Sequence, residues 1–93
     1  MTDYPDLIRK LVHGSESEQE LARNTLFQLD EESVAPLIDE FYAGVNEAMG
    51  LAILSVLIEI GGYEVRALLE EQLEFGVPYP SWRSIIENGL NAY

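Results

Sequence analysis

The sequence aligns with itself, without a gap, when it is shifted by 31 positions. Each copy holds two apolar segments around a turn, which Asp30 marks in the first copy and Gly61-Gly62 in the second. A period of about 20 to 50 residues is typical of helical solenoids, in which each unit completes its core by stacking on its neighbours. The shift therefore predicts a helix-turn-helix repeat. The aligned apolar pairs are Leu26 with Leu57, Phe27 with Ile58, Leu29 with Ile60, Val34 with Val65, Leu37 with Leu68 and Ile38 with Leu69.

Apolar residues recur at helical spacing in six segments and nowhere alternate with period two over a useful length, which predicts an all-α fold of about six helices. The fourth segment is the most apolar, because only Ser55 and Glu59 are polar between positions 51 and 60, and we predict it to be the central helix. It is too short to span a bilayer, which requires about twenty residues. The predicted helix starts are Thr2 or Asp3, the capping boxes at Ser15 and Ser17, Asp30 and Asn46. The predicted breaks between helices are Gly14, Gly44, Gly61-Gly62, Gly76 and the turn at residues 78–81.

The apolar stripes of these segments predict which side chains form the core. The aromatic residues Phe27, Phe41 and Trp82 fall on such stripes. The stripe of the second helix is Leu21, Ala22, Thr25, Leu26 and Leu29, and that of the third is Val34, Leu37, Ile38, Phe41 and Tyr42.

A shift of 30 places the first segment on the third, with Gly14 on Gly44, so the first helix corresponds to the second half of an earlier unit. By the same logic the last helix is the first half of a later unit. With A and B as the two helices of a unit, the order is B, A-B, A-B, A. The 93 residues fit one domain. We therefore expect residues 1–93 to form a single, short, right-handed stack of αα-hairpins.

The segments LDEESVAPLI, residues 29–38, and IGGYEVRALL, residues 60–69, resemble the HEAT-like repeats of phycobilisome lyase-type proteins. In that family a short helix A ends in an apolar-Gly-Asp turn, and helix B opens with an apolar residue, Pro, Ala and a Leu/Ile pair. The resemblance covers roughly residues 17–75 most clearly. The usual Asp-Pro-x-Val-Arg linker is absent here, and Pro36 stands one residue later than in the family. The resemblance implies stacked helix pairs and macromolecular binding, and it implies no reaction.

Seventeen acidic residues against five basic ones give a net charge of −12. This charge argues against direct binding of nucleic acid or of anionic membranes, because both depend on Lys and Arg. The chain has no Cys, which excludes disulfides and thiolate chemistry and fits a reducing compartment. The first residues show no basic region followed by an apolar run, so we expect no signal peptide and a cytoplasmic location.

The sequence offers no set of residues for catalysis. His13 is the single imidazole, and its place beside Gly14 suits a helix C-terminus, where a positive charge meets the helix dipole favourably. A Ser-His-acid triad is not credible with one distant His, and calcium-loop and Glu-x-x-His spacings are absent. We therefore expect no enzyme activity, no metal and no cofactor.

Acidic residues occupy equivalent positions in the two complete units: Asp39 aligns with Glu70, and Glu40 with Glu71. Equivalent positions stack in a solenoid, so the B helices should display one acidic face, with Arg9-Lys10 at its basic end. This pattern has two interpretations, a solvated polar face and a docking face for a basic protein. The acidic face is defined by Asp39, Glu40, Glu70, Glu71 and Glu74.

Two further features bear on binding. Residues 79–82, Tyr-Pro-Ser-Trp, are a candidate contact, because Tyr and Trp are frequent at the centres of interfaces. The terminal helices lack a partner helix in the repeat, so they either cap the stack or allow a homodimer. The predicted partner-binding residues are Asp39, Glu40, Glu70, Glu71, Glu74, Tyr79 and Trp82.

We expect a small acidic adaptor or inhibitor that binds a basic protein surface. One alternative is an immunity-type protein or DNA mimic that neutralises a nucleic-acid-binding enzyme. A second, which the family resemblance implies, is an accessory subunit of a phycobilin lyase-like system. A six-helix bundle of the death-fold type fits the helix count but does not explain the 31-residue shift.

Overall fold

Six α-helices joined by short turns form the structure, a computed structural model that describes residues 3–91. This confirms the all-α prediction and the helix number over that range. The predicted cap at Asp3 is present, since its side chain accepts a hydrogen bond from the Asp6 backbone N–H at 3.1 Å, while Thr2 lies outside the described residues. The helices are α1 (Tyr4–His13), α2 (Glu16–Leu29), α3 (Glu31–Ala43), α4 (Glu47–Ile60), α5 (Tyr63–Phe75) and α6 (Pro80–Asn91).

Helix α4 lies at the centre and packs against all five other helices. Its side chains Ile53, Leu54, Val56 and Leu57 are fully buried. The nearly uninterrupted apolar sequence of this helix is therefore explained by burial on several sides, as predicted. Within residues 3–91 no helix is long and apolar enough to cross a membrane.

Helices α2 and α4 begin and end 31 residues apart, at Glu16 and Glu47 and at Leu29 and Ile60. Their N-caps follow the same offset. Ser15 accepts a hydrogen bond from the third backbone N–H of α2, and Asn46 accepts one from the third backbone N–H of α4. The aligned residues Leu26, Leu57, Val34, Val65, Leu37 and Leu68 are all buried.

Helix α6 runs parallel to α4 and packs closely on it through two glycines. Near the start of both helices, the Trp82 ring lies over Gly50, and near their ends Ile58 lies against Gly89. A hydrogen bond of 2.8 Å from the Trp82 indole N–H to the Glu47 carbonyl oxygen fixes the first contact. The absent side chains of the glycines therefore allow the two helices to approach each other.

Two residues of the predicted stripes lie outside the core, which corrects the prediction. Leu21 is 66% exposed, because Ala22 and Leu26 provide the buried side of α2. Tyr42 is 53% exposed, because its hydroxyl turns towards α5 at the surface. Phe41 and Trp82 are buried as predicted, and Phe27 packs against the core.

The turn between α2 and α3 holds Asp30 in a backbone conformation that suits glycine, with φ 49° and ψ −120°. The equivalent residue 31 positions later is Gly61, with φ 77°. Because the Asp30 side chain makes no capping hydrogen bond, we expect Asp30→Gly to raise the free energy of unfolding by about 1 kcal/mol in urea denaturation. Gly61→Asp, the reverse change at the equivalent turn, should lower it. An unchanged or lower stability of Asp30→Gly would contradict the expected relief of strain.

Candidate protein-interaction surface

The acidic face is distributed over two helices, with Asp39 and Glu40 on α3 and the other three residues on α5. All of its side chains are exposed except Glu40, which is half-buried. Each helix has one buried side, formed by Val34, Leu37 and Phe41 on α3 and by Val65, Leu68 and Leu69 on α5, and the acidic residues lie outside it.

A hydrogen bond of 3.1 Å from the Tyr42 hydroxyl to Glu71 Oε2 joins α3 to α5 at this surface. Residues three apart lie on the same side of a helix, so Asp39 shares a side of α3 with Tyr42. On α5, Glu74 likewise lies one turn beyond Glu71. The hydrogen bond therefore links the side of α3 that carries Asp39 to the side of α5 that carries Glu74.

The environment of Tyr42 keeps its hydroxyl protonated. Burial is the largest cause that raises the pKa of this phenol, followed by its hydrogen bond to the Glu71 carboxylate and by the negative charge of that group. Since the ordinary pKa of Tyr is about 10, the phenol remains a hydrogen-bond donor at neutral pH. It orients the Glu71 carboxylate without cancelling its charge.

Glu70 differs from Glu71 because a cation already accompanies it. The Arg66 Nε donates to Glu70 Oε1 at 2.9 Å, in an ion pair between residues four apart on α5. Both side chains are exposed, so the pair contributes little to stability, but it offsets part of the negative charge of Glu70. Glu71 instead accepts from the neutral Tyr42 hydroxyl, which does not offset its charge.

The basic end of the face is partly neutralised within α1. Both Arg9 and Lys10 pair with Asp6, and the Lys10 Nζ lies 3.0 Å from Asp6 Oδ2. The hydrogen bonds from Arg9 and then Lys10 lower the pKa of the Asp6 carboxyl, so it stays ionised well below neutral pH. One of the two positive charges is thus offset, which the alignment of equivalent positions did not anticipate.

Tyr79 and Trp82 have an internal role in the structure. The Trp82 side chain is 5% exposed, and its ring lies 5.2 Å from Phe41 and 4.8 Å from Tyr79 between centroids. The neighbouring Ser81 hydroxyl donates to Glu47 Oε2 at 2.7 Å. These contacts hold the start of α6 on α4, and only the half-buried Tyr79 presents part of its ring at the surface.

Two exposed aromatic residues near Glu71 were not among the predicted site residues. The apolar stripe of the third helix predicts a core position for Tyr42, and Phe75, which is 78% exposed, is the last residue of α5. A signal was present in the sequence, since Phe75 follows Glu71 by four residues and must share its side of α5. Exposed rings beside carboxylates give this surface apolar contact area as well as charge.

Two shallow grooves lie elsewhere on the surface. One, at the N-terminal ends of α3 and α5, is lined by Glu31, Val34, Gly61, Gly62, Tyr63 and Glu64. The other, between α1 and α2, is lined by Leu11, Glu16, Gln19, Glu20 and Arg23.

Within residues 3–91, no three His, Asp or Glu side chains lie close enough together to hold a metal ion.

Three comparisons with known proteins found no match to this chain among protein-family models, curated proteins or solved structures. The function must therefore be inferred from the chain's own residues. The acidic face, together with the exposed rings of Tyr42 and Phe75, is the surface from which we infer it.

Proposed function

We propose that this protein is a non-catalytic interaction module whose acidic face binds a basic surface of another protein. The observation that carries the proposal is the hydrogen bond between Tyr42 and Glu71, because it joins two acidic helix sides into one surface. An interface formed by two helices can present several carboxylates to one partner at the same time. A basic partner would be steered to such a surface and held in register by it.

The distribution of charge supports this function. Residues 24–82 contain eleven acidic side chains and a single basic one, Arg66. Repulsion among like charges opposes folding, so this density of acidic residues lowers the stability of the compact chain. A cationic partner relieves that repulsion on binding, which gives the acidic residues a role that a merely solvated surface does not require.

We further propose that the helices form a short right-handed stack of HEAT-like hairpins. Three observations support it: α2 and α4 share their bounds at the 31-residue offset, α4 and α6 are parallel, and hydrogen bonds join the B helices. In these hydrogen bonds the Tyr42 hydroxyl of α3 donates to Glu71 of α5, and the Tyr4 hydroxyl of α1 donates to the Glu32 carbonyl oxygen of α3 at 3.3 Å. Helix α1 packs against α4 as well as against α2 and α3, which form its nearest unit. The proposed stack is therefore more compact than an extended solenoid.

Narrower versions of the function share this chemistry. If the protein is an immunity-type protein or a DNA mimic, its acidic face would occupy the nucleic-acid site of a basic enzyme. If it is an accessory subunit of a phycobilin lyase-like system, its acidic face would contact another protein, and that protein would carry out the chemistry. A cytoplasmic location stays a prediction, and the absence of Cys from the sequence is compatible with it. Self-association through α1 and α6 is the alternative to a basic partner, and repulsion between two chains of charge −12 opposes it.

Charge reversal on α5 tests the proposed function. We expect the double variant Glu70→Lys/Glu71→Lys, immobilised and exposed to lysate of the source organism, to capture at least about tenfold less of the basic partner, because opposed charges at an interface become like charges. Capture by the wild type should fall as salt is raised, and residual capture by the variant should respond less.

The matched control is Glu16→Lys/Glu20→Lys, which changes the net charge equally at exposed positions on α2. This control should retain most of the capture, and circular dichroism should show unchanged helicity in both variants. Equal capture by the wild type and the α5 variant would contradict the proposal.

A further inference from the structure

Two exposed aromatic residues neighbour Glu71, one on α3 and one on α5. Tyr42 lies on α3, and its hydroxyl donates a hydrogen bond to the Glu71 carboxylate. Phe75 follows Glu71 by four residues on α5, so the two side chains share one side of that helix. Both rings are more than half exposed, at 53% and 78%. This surface of α3 and α5 therefore combines one hydrogen-bonded carboxylate with two partly exposed aromatic rings.

The Glu71 carboxylate is oriented before any partner arrives. A carboxylate has about four acceptor positions on its two oxygens, and the Tyr42 hydroxyl occupies one of them. The remaining positions can receive a cation without the loss of that hydrogen bond. Because the donor is a neutral phenol, the carboxylate keeps its full charge, in contrast to Glu70 beside Arg66. An oriented acceptor loses less conformational freedom on binding.

We propose that this surface binds an arginine side chain within the basic partner, with Glu71 as the anchoring carboxylate and Tyr42 and Phe75 as stacking surfaces. This inference rests on the proposed function and specifies the partner's chemistry. A guanidinium is planar, binds a carboxylate through two parallel N–H donors and stacks on aromatic rings at the same time. A lysine ammonium is a compact, strongly hydrated charge that cannot make this combination of contacts.

Charge complementarity selects the occupant. A second copy of this chain would bring a charge of −12 to a surface that is already acidic, whereas an arginine-bearing segment neutralises it. The exposed ring of Phe75 would lose contact with water against the guanidinium plane. A single arginine side chain can therefore pair with the Glu71 carboxylate and cover part of the exposed Phe75 ring at the same time.

Two short peptides test the inference by isothermal titration calorimetry on the full chain. Their sequences are identical except that every cationic residue is arginine in one peptide and lysine in the other. We expect the wild type to bind the arginine peptide about threefold to fivefold more tightly, a preference consistent with an exposed cation–π contact. Phe75→Leu and Glu71→Gln should each reduce the preference to less than about twofold.

The matched control is Tyr63→Leu, because Tyr63 is exposed at 84% but lies at the opposite end of α5. It should leave the preference unchanged. Equal affinity of the wild type for the two peptides would overturn the arginine assignment while leaving the proposed function standing, provided that both peptides bind more weakly to Glu70→Lys/Glu71→Lys. A preference that survives in Phe75→Leu and Glu71→Gln would overturn it too. Failure of both peptides to bind at low salt would contradict the inference and the proposed function together.

Discussion

Trp82→Ala is expected to lower the free energy of unfolding by about 3–5 kcal/mol, the usual cost of removing a large buried aromatic side chain. The ring is almost fully buried and contacts Gly50, Phe41 and Tyr79. Its indole N–H also donates to the Glu47 carbonyl oxygen. Because a domain of this size has about 5–15 kcal/mol of stability, the variant should lose a large part of it. Urea denaturation followed by circular dichroism measures the change.

The control for this variant is Leu21→Ala, which truncates a large apolar side chain that is mostly exposed. Surface substitutions usually change stability by less than about 0.5 kcal/mol, so this variant should resemble the wild type. Trp82→Phe, which keeps an aromatic ring but loses the indole donor, should fall between the two. Similar losses in Trp82→Ala and Leu21→Ala would show that α6 is not held on α4 by this ring.

Gly50→Ala is expected to destabilise the protein by about 1–3 kcal/mol through overpacking. An added Cβ atom would lie 2.0 Å from a Trp82 ring carbon, much closer than two carbon atoms can approach. This cost opposes the gain of about 1 kcal/mol that Ala normally provides over Gly inside a helix. The sign of the effect is therefore the opposite of the one that helix propensity predicts. Thermal and urea denaturation both measure it.

A double-mutant cycle identifies the cause of the Gly50→Ala effect. In a Trp82→Leu background the ring is absent, so the added methyl group finds space and should cost much less. The two substitutions should therefore be strongly non-additive, as expected for residues in contact. Additive losses would mean that Gly50 and Trp82 do not meet as the structure shows.

Local signals in the sequence were sufficient to place the helices. The caps at Ser15 and Asn46 and the breaks at Gly44 and Gly61 depend on residues within one turn of themselves, so they can be recognised without knowledge of the fold. The apolar composition of residues 51–60 likewise required a central position for α4.

Packing between helices could not be inferred in the same way. An apolar stripe shows that a helix has a buried side. How many residues of the stripe are buried depends on the neighbouring helices, and on α2 they leave Leu21 exposed. The contact of Trp82 with Gly50 joins residues far apart in the sequence, so it became visible only in the structure. A glycine within an otherwise apolar helix was the signal for it, because such glycines often mark close packing.

The candidate surface was predictable in outline and not in detail. The repeat placed acidic residues at equivalent positions on α3 and α5, and both helices carry them on exposed sides. The ion pairs of Glu70 and of Asp6 follow from spacings of three and four residues and could have been read from the sequence. The link between Tyr42 and Glu71 depends on tertiary contact, and it distinguishes Glu71 from Glu70, which pairs within α5.

Nuclear magnetic resonance can map directly where this protein binds a cationic partner. The nitrogen-15-labelled protein is titrated with the arginine peptide at low salt, and the amide shifts are followed residue by residue. We expect the largest shifts on residues 39–43 of α3 and 70–75 of α5, and we expect them to decrease as salt is raised. Shifts of similar size on the acidic residues of α2, or largest shifts away from α3 and α5, would contradict the proposed binding surface.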